Sequence, residues 1–330
     1  MIDVHTHVVP TELPFGDFPG DFWPRVDVDG DRGEVYTGST FFRSVTSASW
    51  DRARRAEEMA AHGVSRQVVS PMPELFCYWA DADSAARYTA EMNAWLAEWV
   101  RGSDGSFDAF GLVPMQDPER AARMLTDVAA LGLRGVEIGS NVDGVPLHDT
   151  RYADFFAEAE RLDLAVFVHA FHPYGFETIT GGPAASGATF PNEIGFATAG
   201  LVAEGVLHRH PWLRVCASHG AGSLGLTLPR MDRMWDFDPG FRERLPERPS
   251  DLARRFFVDL LVFAPDALRF VLQALGADRV VVGSDYPFMP DAPGAVLEHL
   301  TDLGRDDLER ITVANAQVLL GDVAAHHQGE

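Results

Sequence analysis

A closed (β/α)8 barrel is the fold this 330-residue sequence predicts, and three observations lead there. Apolar, strand-like runs alternate with segments of helical periodicity, the pattern of a parallel α/β architecture. Eight such strand runs occur, the number at which a parallel sheet of this kind closes on itself. Residues able to bind a metal or move a proton stand at the ends of several runs, where a barrel builds its active site.

Taken in order, Ile2–His5 reads as the first strand. Side chains two apart on a strand share a face, so His5 and His7 project together from its end. Residues 11–48 break the repeat, being rich in Gly, Pro, Asp and aromatics, and Asp29-Gly30 within Val26–Val35 is a hairpin signal. They predict a small β-rich insertion after the first strand that caps the barrel mouth. Further strands are expected near Gln67–Ser70, Phe107–Pro114, Gly135–Ile138, Ala165–His169, Arg214–Ser218, Phe256–Leu260 and Val280–Ser284. Between them, Asp51–Ala61, Ser84–Arg101, Pro118–Leu131, Tyr152–Leu162, Asn192–His208, Gly225–Trp235 and Pro265–Leu275 carry helical periodicity. Asp117-Pro118 supplies an N-cap followed by proline at the first helical position. Asp306–Leu319 reads as a last helix and Ala325–Glu330 as a frayed tail. One domain over residues 1–330 accommodates all of this.

Composition narrows the function. No apolar run approaches the ~20 residues of a membrane span, and no basic-then-apolar leader precedes the first strand, so no secretory signal is expected. Cys77 and Cys216 are too few for a disulfide framework, which predicts a reduced, cytoplasmic protein. A formal charge of −22 argues against nucleic acid or an anionic membrane as partner. An anionic substrate would then need a local positive site. All 27 basic residues are arginine, so no carbamylated lysine can bridge two metals, and a mononuclear site is favoured.

The chemistry-bearing residues gather at predicted strand ends: His5 and His7 at the first, His169 at the fifth, His219 at the sixth and Asp285 at the eighth. Three imidazoles and a carboxylate suit zinc with one position left for water. Their wide separation in sequence excludes a compact zinc finger. His62, His148, His208, His210 and His299 fall on helix ends or loops, and His326 and His327 in the tail, and all are read as solvated. His172, three residues beyond His169, is within reach of a substrate pocket.

These stretches carry a resemblance. Ile2-Asp3-Val4-His5-Thr6-His7, Phe42-Arg43-Ser44-Val45, Phe76-Cys77-Tyr78-Trp79-Ala80, Phe167-Val168-His169, Ser218-His219-Gly220 and Gly283-Ser284-Asp285-Tyr286-Pro287-Phe288 resemble the amidohydrolase superfamily. Within it they resemble the 2-amino-3-carboxymuconate-6-semialdehyde decarboxylase group, over roughly residues 1–320. The resemblance implies a TIM barrel of the metal-dependent hydrolase type, with one Zn2+ and one water held by His5, His7, His169 and Asp285. It implies that His219 takes a proton from that water and that Arg43 and Arg230 grip substrate carboxylates. Arg230 would be supplied across a homodimer interface, and Phe171 and Phe288 would face the substrate. The implied reaction is non-oxidative decarboxylation of a small anionic carboxylate, without an organic cofactor. Ala170-Phe171-His172 and Asn141 depart from the group, which has Pro-Trp-Asp at the first place and often histidine at the second. A hydrolase or hydratase acting on a carboxylate-bearing cyclic amide, lactone or enoic acid is the alternative the same residues allow.

Overall fold

The computed structural model describes residues 1–12, 18, 22–179, 182–289 and 293–323. The tail from residue 325 on, with His326 and His327, lies outside the described residues. Strand β1 (Ile2–Val8) is followed by β2 (Pro24–Asp29), β3 (Arg32–Thr37) and β4 (Thr40–Thr46), which form a separate antiparallel sheet. Asp29 pairs with Arg32 across a tight turn in which Gly30 takes φ +62°, the left-handed conformation the Asp-Gly signal requires.

Strand and helix then alternate through α1 (Arg52–Ala61), β5 (Arg66–Pro71), α2 (Ala82–Val100), β6 (Phe107–Gly111), α3 (Pro118–Ala130) and β7 (Gly135–Gly139). A small hairpin, β8 (Asn141–Val142) and β9 (Val145–Pro146), precedes α4 (Ala153–Arg161) and β10 (Ala165–His169). Next come α5 (Pro183–Ala203), α6 (Val206–Arg209), β11 (Val215–Ala217), α7 (Leu224–Phe237), α8 (Pro239–Arg244), α9 (Pro249–Ala253), β12 (Phe257–Asp259), α10 (Pro265–Leu275) and β13 (Val280–Val281). Helices α11 (Gly294–Leu297), α12 (Arg305–Glu309) and α13 (Asn315–Leu319) finish the chain.

Eight parallel strands lie in the order β1-β5-β6-β7-β10-β11-β12-β13. The last returns to the first: Val4 N donates to Val282 O at 2.9 Å and His7 N to Tyr286 O at 2.7 Å. The ring therefore closes at that seam through isolated parallel bridges rather than a long ladder. Strands such as Ala165-Val166-Phe167-Val168-His169 are buried along their whole length, as expected where helices cover one face and the barrel interior the other.

Inside the barrel, Ile2, Val4, Val68, Phe110, Phe167, Cys216, Phe257 and Val281 pack together, and Ala316, Leu319 and Leu320 plug its N-terminal end. Arg66 and Arg134 both pair with Asp108 and Asp322, tying the end of the described chain to the same face. The opposite end, where the strands finish, is left for side chains with other work. Capping follows the sequence: Asp51 accepts from Ala53 N at 2.9 Å, and Asp117 from Arg120 N at 3.1 Å.

Three details differ from expectation. The helix expected over Asn192–His208 begins about two and a half turns earlier, at Pro183, and breaks at Gly205 (φ +64°). The Gly- and Ala-rich run 183–189 lacks the periodicity that would have revealed it. The strand expected over Phe107–Pro114 stops at Gly111. The β8–β9 hairpin, absent from the expected elements, turns on Asp143-Gly144 (φ +51° and +78°). No helix among the described residues is long and apolar enough to cross a membrane.

Candidate metal and active site

His5 and His7 rise from the C-terminal end of β1, His169 is the last residue of β10, and Asp285 follows β13. Their side chains converge. His5 Nε2 is 3.2 Å from His7 Nε2, and Asp285 Oδ1 lies 3.1 Å from His7 Nε2 and 3.7 Å from His5 Nε2. One ligand atom from each of the four residues fits within 4.8 Å of all the others. His169 donates from Nδ1 to Ala170 O at 2.8 Å, which turns its Nε2 inward, and that buried nitrogen has no hydrogen-bond partner.

An orphaned buried nitrogen aimed at two other ring nitrogens and a carboxylate is costly unless something electrophilic joins them. Three imidazoles and one carboxylate fit a divalent metal ion. Burial pushes His5 and His7 down to about 3 and His169 well below its ordinary value. All three are therefore neutral at physiological pH, the form that coordinates a metal.

Several residues that sequence reasoning missed support this cluster. Asp259, at the end of β12, is hydrogen-bonded to His5 Nδ1 at 2.7 Å. Arg55, fully buried on α1, donates from Nη1 to the carbonyls of His7 (2.7 Å) and Ala48 (3.0 Å). Glu137 on β7 is buried 3.9 Å from His7 Nδ1, and burial pushes its carboxyl well up. Glu74, half-buried after β5, is raised to about 7 by burial, with Arg43 opposing that shift and Asp285 adding to it. Asp259, Glu137 and Glu74 are single acids in apolar runs and Arg55 is one of several charges on α1, and no spacing rule separates such residues from a helix cap, a surface charge or a satisfied core group.

His219 follows β11 in left-handed conformation (φ +54°). Its Nδ1 is hydrogen-bonded to Ser218 Oγ at 2.7 Å, and its ring stands edge-on to those of His169 (5.2 Å) and His5 (5.7 Å). Burial first, then the neighbouring His169, lowers it to about 3, so it too is neutral.

Arg43 on β4 lies over Phe288, 4.2 Å from the ring centroid, and Phe288 stacks on His7 at 5.5 Å and 16°. The structure thus brings together His5, His7, His169, Asp285, His219, Phe288 and Arg43. It does not bring Phe171 to them in ring contact. β10 ends at His169, so strand alternation no longer holds two residues later. The Phe171 ring packs instead into the core against Phe76 and Tyr78 (both 5.3 Å), with His172 stacked on it at 3.9 Å. Asn141 Nδ2 donates to Phe171 O at 2.8 Å and to Glu193 at 2.9 Å, which fixes that wall. Besides Phe288, Phe190 on α5 meets the cluster, 5.9 Å from His219 and 6.4 Å from His169. Arg230 lies exposed on α7.

The sequence profile of the amidohydrolase family matches residues 2–321. A 2-amino-3-carboxymuconate-6-semialdehyde decarboxylase of Dictyostelium discoideum is 31% identical over 327 residues, covering 97% of this chain and 91% of that protein. A gamma-resorcylate decarboxylase of Rhodococcus jostii is 28% identical, covering 71% of this chain and 76% of that protein. The crystal structure of Metarhizium anisopliae IDCase in apo form has the same fold, with a TM-score of 0.84 at 19% identity, covering 97% of this chain and 96% of that one. A barrel that places three histidines and an aspartate at its strand ends, matched by one family profile almost from end to end, belongs to the amidohydrolase family.

Proposed function

We propose that this chain is a zinc-dependent, non-oxidative decarboxylase of 2-amino-3-carboxymuconate-6-semialdehyde or a related amino- or hydroxy-aromatic carboxylic acid. The observation that carries the reading is the convergence of His5, His7, His169 and Asp285 on one point, with the His169 Nε2 orphaned. The 31% identity to a decarboxylase over nearly the whole chain supports the reaction class. A bound divalent ion supplies Lewis acidity there.

The chain's own residues then divide the remaining work. Decarboxylation exchanges one carboxylate for one proton at the same carbon, so the site must hold the first and deliver the second; no oxidant or organic cofactor enters the balance. His219, held through Nδ1 by Ser218, presents Nε2 as the atom that takes and returns the proton. Asp285 completes the ligand set at the edge of the reacting space. Arg43 grips a carboxylate by a bidentate fork, which provides the local positive charge that a chain of −22 needs. Phe288 and Phe190 flank a flat, conjugated substrate. Arg230 reaches the site from the second copy in a homodimer, and the sheet of β2, β3 and β4 caps the mouth within a single domain. The free, buried Cys77 and Cys216 suit a reducing cytoplasm.

Metal analysis of the purified protein tests the site: one zinc per chain, with activity lost on chelation and restored by zinc, is the expected result. Two ions per chain, or full activity after chelation, would contradict it.

A further inference from the structure

We infer that Asp259 is a positioning residue that sets two geometries at once: the tautomer of His5 and the left-handed turn that carries His219. The inference rests on the reading of His5 as a metal ligand. Asp259 is fully buried, and its two oxygens face different ways. Oδ2 lies 2.7 Å from His5 Nδ1, whereas Oδ1 accepts from Gly220 N at 2.8 Å and Leu261 N at 3.2 Å.

A neutral imidazole carries one N–H. A carboxylate at Nδ1 holds that proton there, so Nε2, the atom facing His7 and Asp285, keeps its lone pair for the metal. The second contact concerns strain. His219, Gly220 and Ala221 are consecutive left-handed residues, at φ +54°, +61° and +56°, and such a run is unfavourable unless its surroundings hold it. The Gly220 N–H at its centre is pinned by Asp259. A Cβ at Gly220 would meet Val262 Cγ1 at 2.5 Å, so the chain is pressed closely against the segment that follows Asp259. One carboxylate therefore couples the first metal-site histidine to the turn that presents His219.

Asparagine is nearly isosteric but has one acceptor and one donor where aspartate has two acceptors. If its NH2 faces His5, the ring proton moves to Nε2 and the lone pair is lost. If its NH2 faces Gly220, two donors oppose each other. Asp259→Asn can therefore serve one contact and not both. The test pairs zinc affinity, measured by chelator competition, with hydrogen exchange at the Gly220 amide. Zinc affinity reduced about 10- to 100-fold, or Gly220 exchange accelerated by a similar factor, is expected. Both unchanged, even with a lowered Tm, would overturn the assignment.

Should the variant fail to fold, the wild-type chain still decides. In 15N-histidine-labelled, chelated protein, His5 is expected to carry its proton on Nδ1, and a proton on Nε2 would overturn the proposal. Wild-type protein that binds no zinc would remove the metal reading, while this spectrum would still judge Asp259.

Discussion

The guanidinium of Arg43 rests 4.2 Å from the ring centroid of Phe288, and the same ring stacks on His7. A residue of the small antiparallel sheet and a residue that follows the last barrel strand thus meet beside the metal cluster. Arg43 is half-buried there. Arg43→Met is predicted to raise KM roughly 10- to 100-fold, the loss of a charge-assisted bidentate contact, with kcat within a few-fold. Arg43→Lys is predicted not to restore KM, because an ammonium lacks the fork and stacks poorly on Phe288. Steady-state kinetics of both variants check this, and a normal KM in Arg43→Met would remove the residue from substrate binding.

His219→Ala is predicted to lower kcat by about 10²- to 10⁴-fold, the scale of a lost general acid–base group, while leaving metal content unchanged. His169→Ala removes the nitrogen that has no other partner, and is predicted to lose metal as well as activity. Metal analysis alongside kinetics separates the two roles. Retained activity in His219→Ala with metal bound would take that histidine out of the mechanism.

The barrel and its cluster were legible because both depend on local signals. Ala165-Val166-Phe167-Val168 reads as a buried strand, and His169 is conspicuous at its end. The same holds for His5, His7 and Asp285, and the eight strands fall in the predicted order. Asp259 was not legible: an aspartate after Phe257-Val258 looks like any turn or cap, and its partner lies 254 residues away. Phe190 was hidden by a Gly- and Ala-rich run without periodicity. The end of β10 was equally hidden: nothing in Ala170-Phe171-His172 marks the strand stopping at His169, beyond which the Phe171 ring turns to Phe76 and Tyr78.

Stability should respond to pH through carboxyls that lose solvent on folding. Glu74 is raised from 4.5 to about 7 and Asp3 from 3.8 to about 7, both chiefly by burial. Between those limits the folded chain keeps protons that the unfolded chain has released, so stability falls as pH rises from about 4 to 7. Urea denaturation of chelated protein is predicted to show that fall, and Glu74→Gln to make it shallower. An identical slope in the variant would mean that Glu74 titrates normally. The Arg43 charge acts on Glu74, so an ionised Glu74 would compete with a substrate carboxylate for it, and the same variant is predicted to keep a low KM at alkaline pH.

Arg230 provides a test of assembly. Arg43→Ala and Arg230→Ala are each predicted to be poorly active, but mixed subunits would recover activity, because a heterodimer contains one site with both arginines intact. No recovery after mixing, with dimer exchange demonstrated, would place the two arginines in the same subunit's site or remove Arg230 from it.

The most direct measurement follows the fate of the carboxylate. Zinc-loaded protein is supplied with 2-amino-3-carboxymuconate-6-semialdehyde and with hydroxybenzoic acids, and carbon dioxide is measured against substrate consumed. One carbon dioxide released per substrate lost, with a proton in its place on the product, is the predicted result. A product that keeps its carboxylate and gains the elements of water would contradict decarboxylation and place the chain among hydrolases or hydratases.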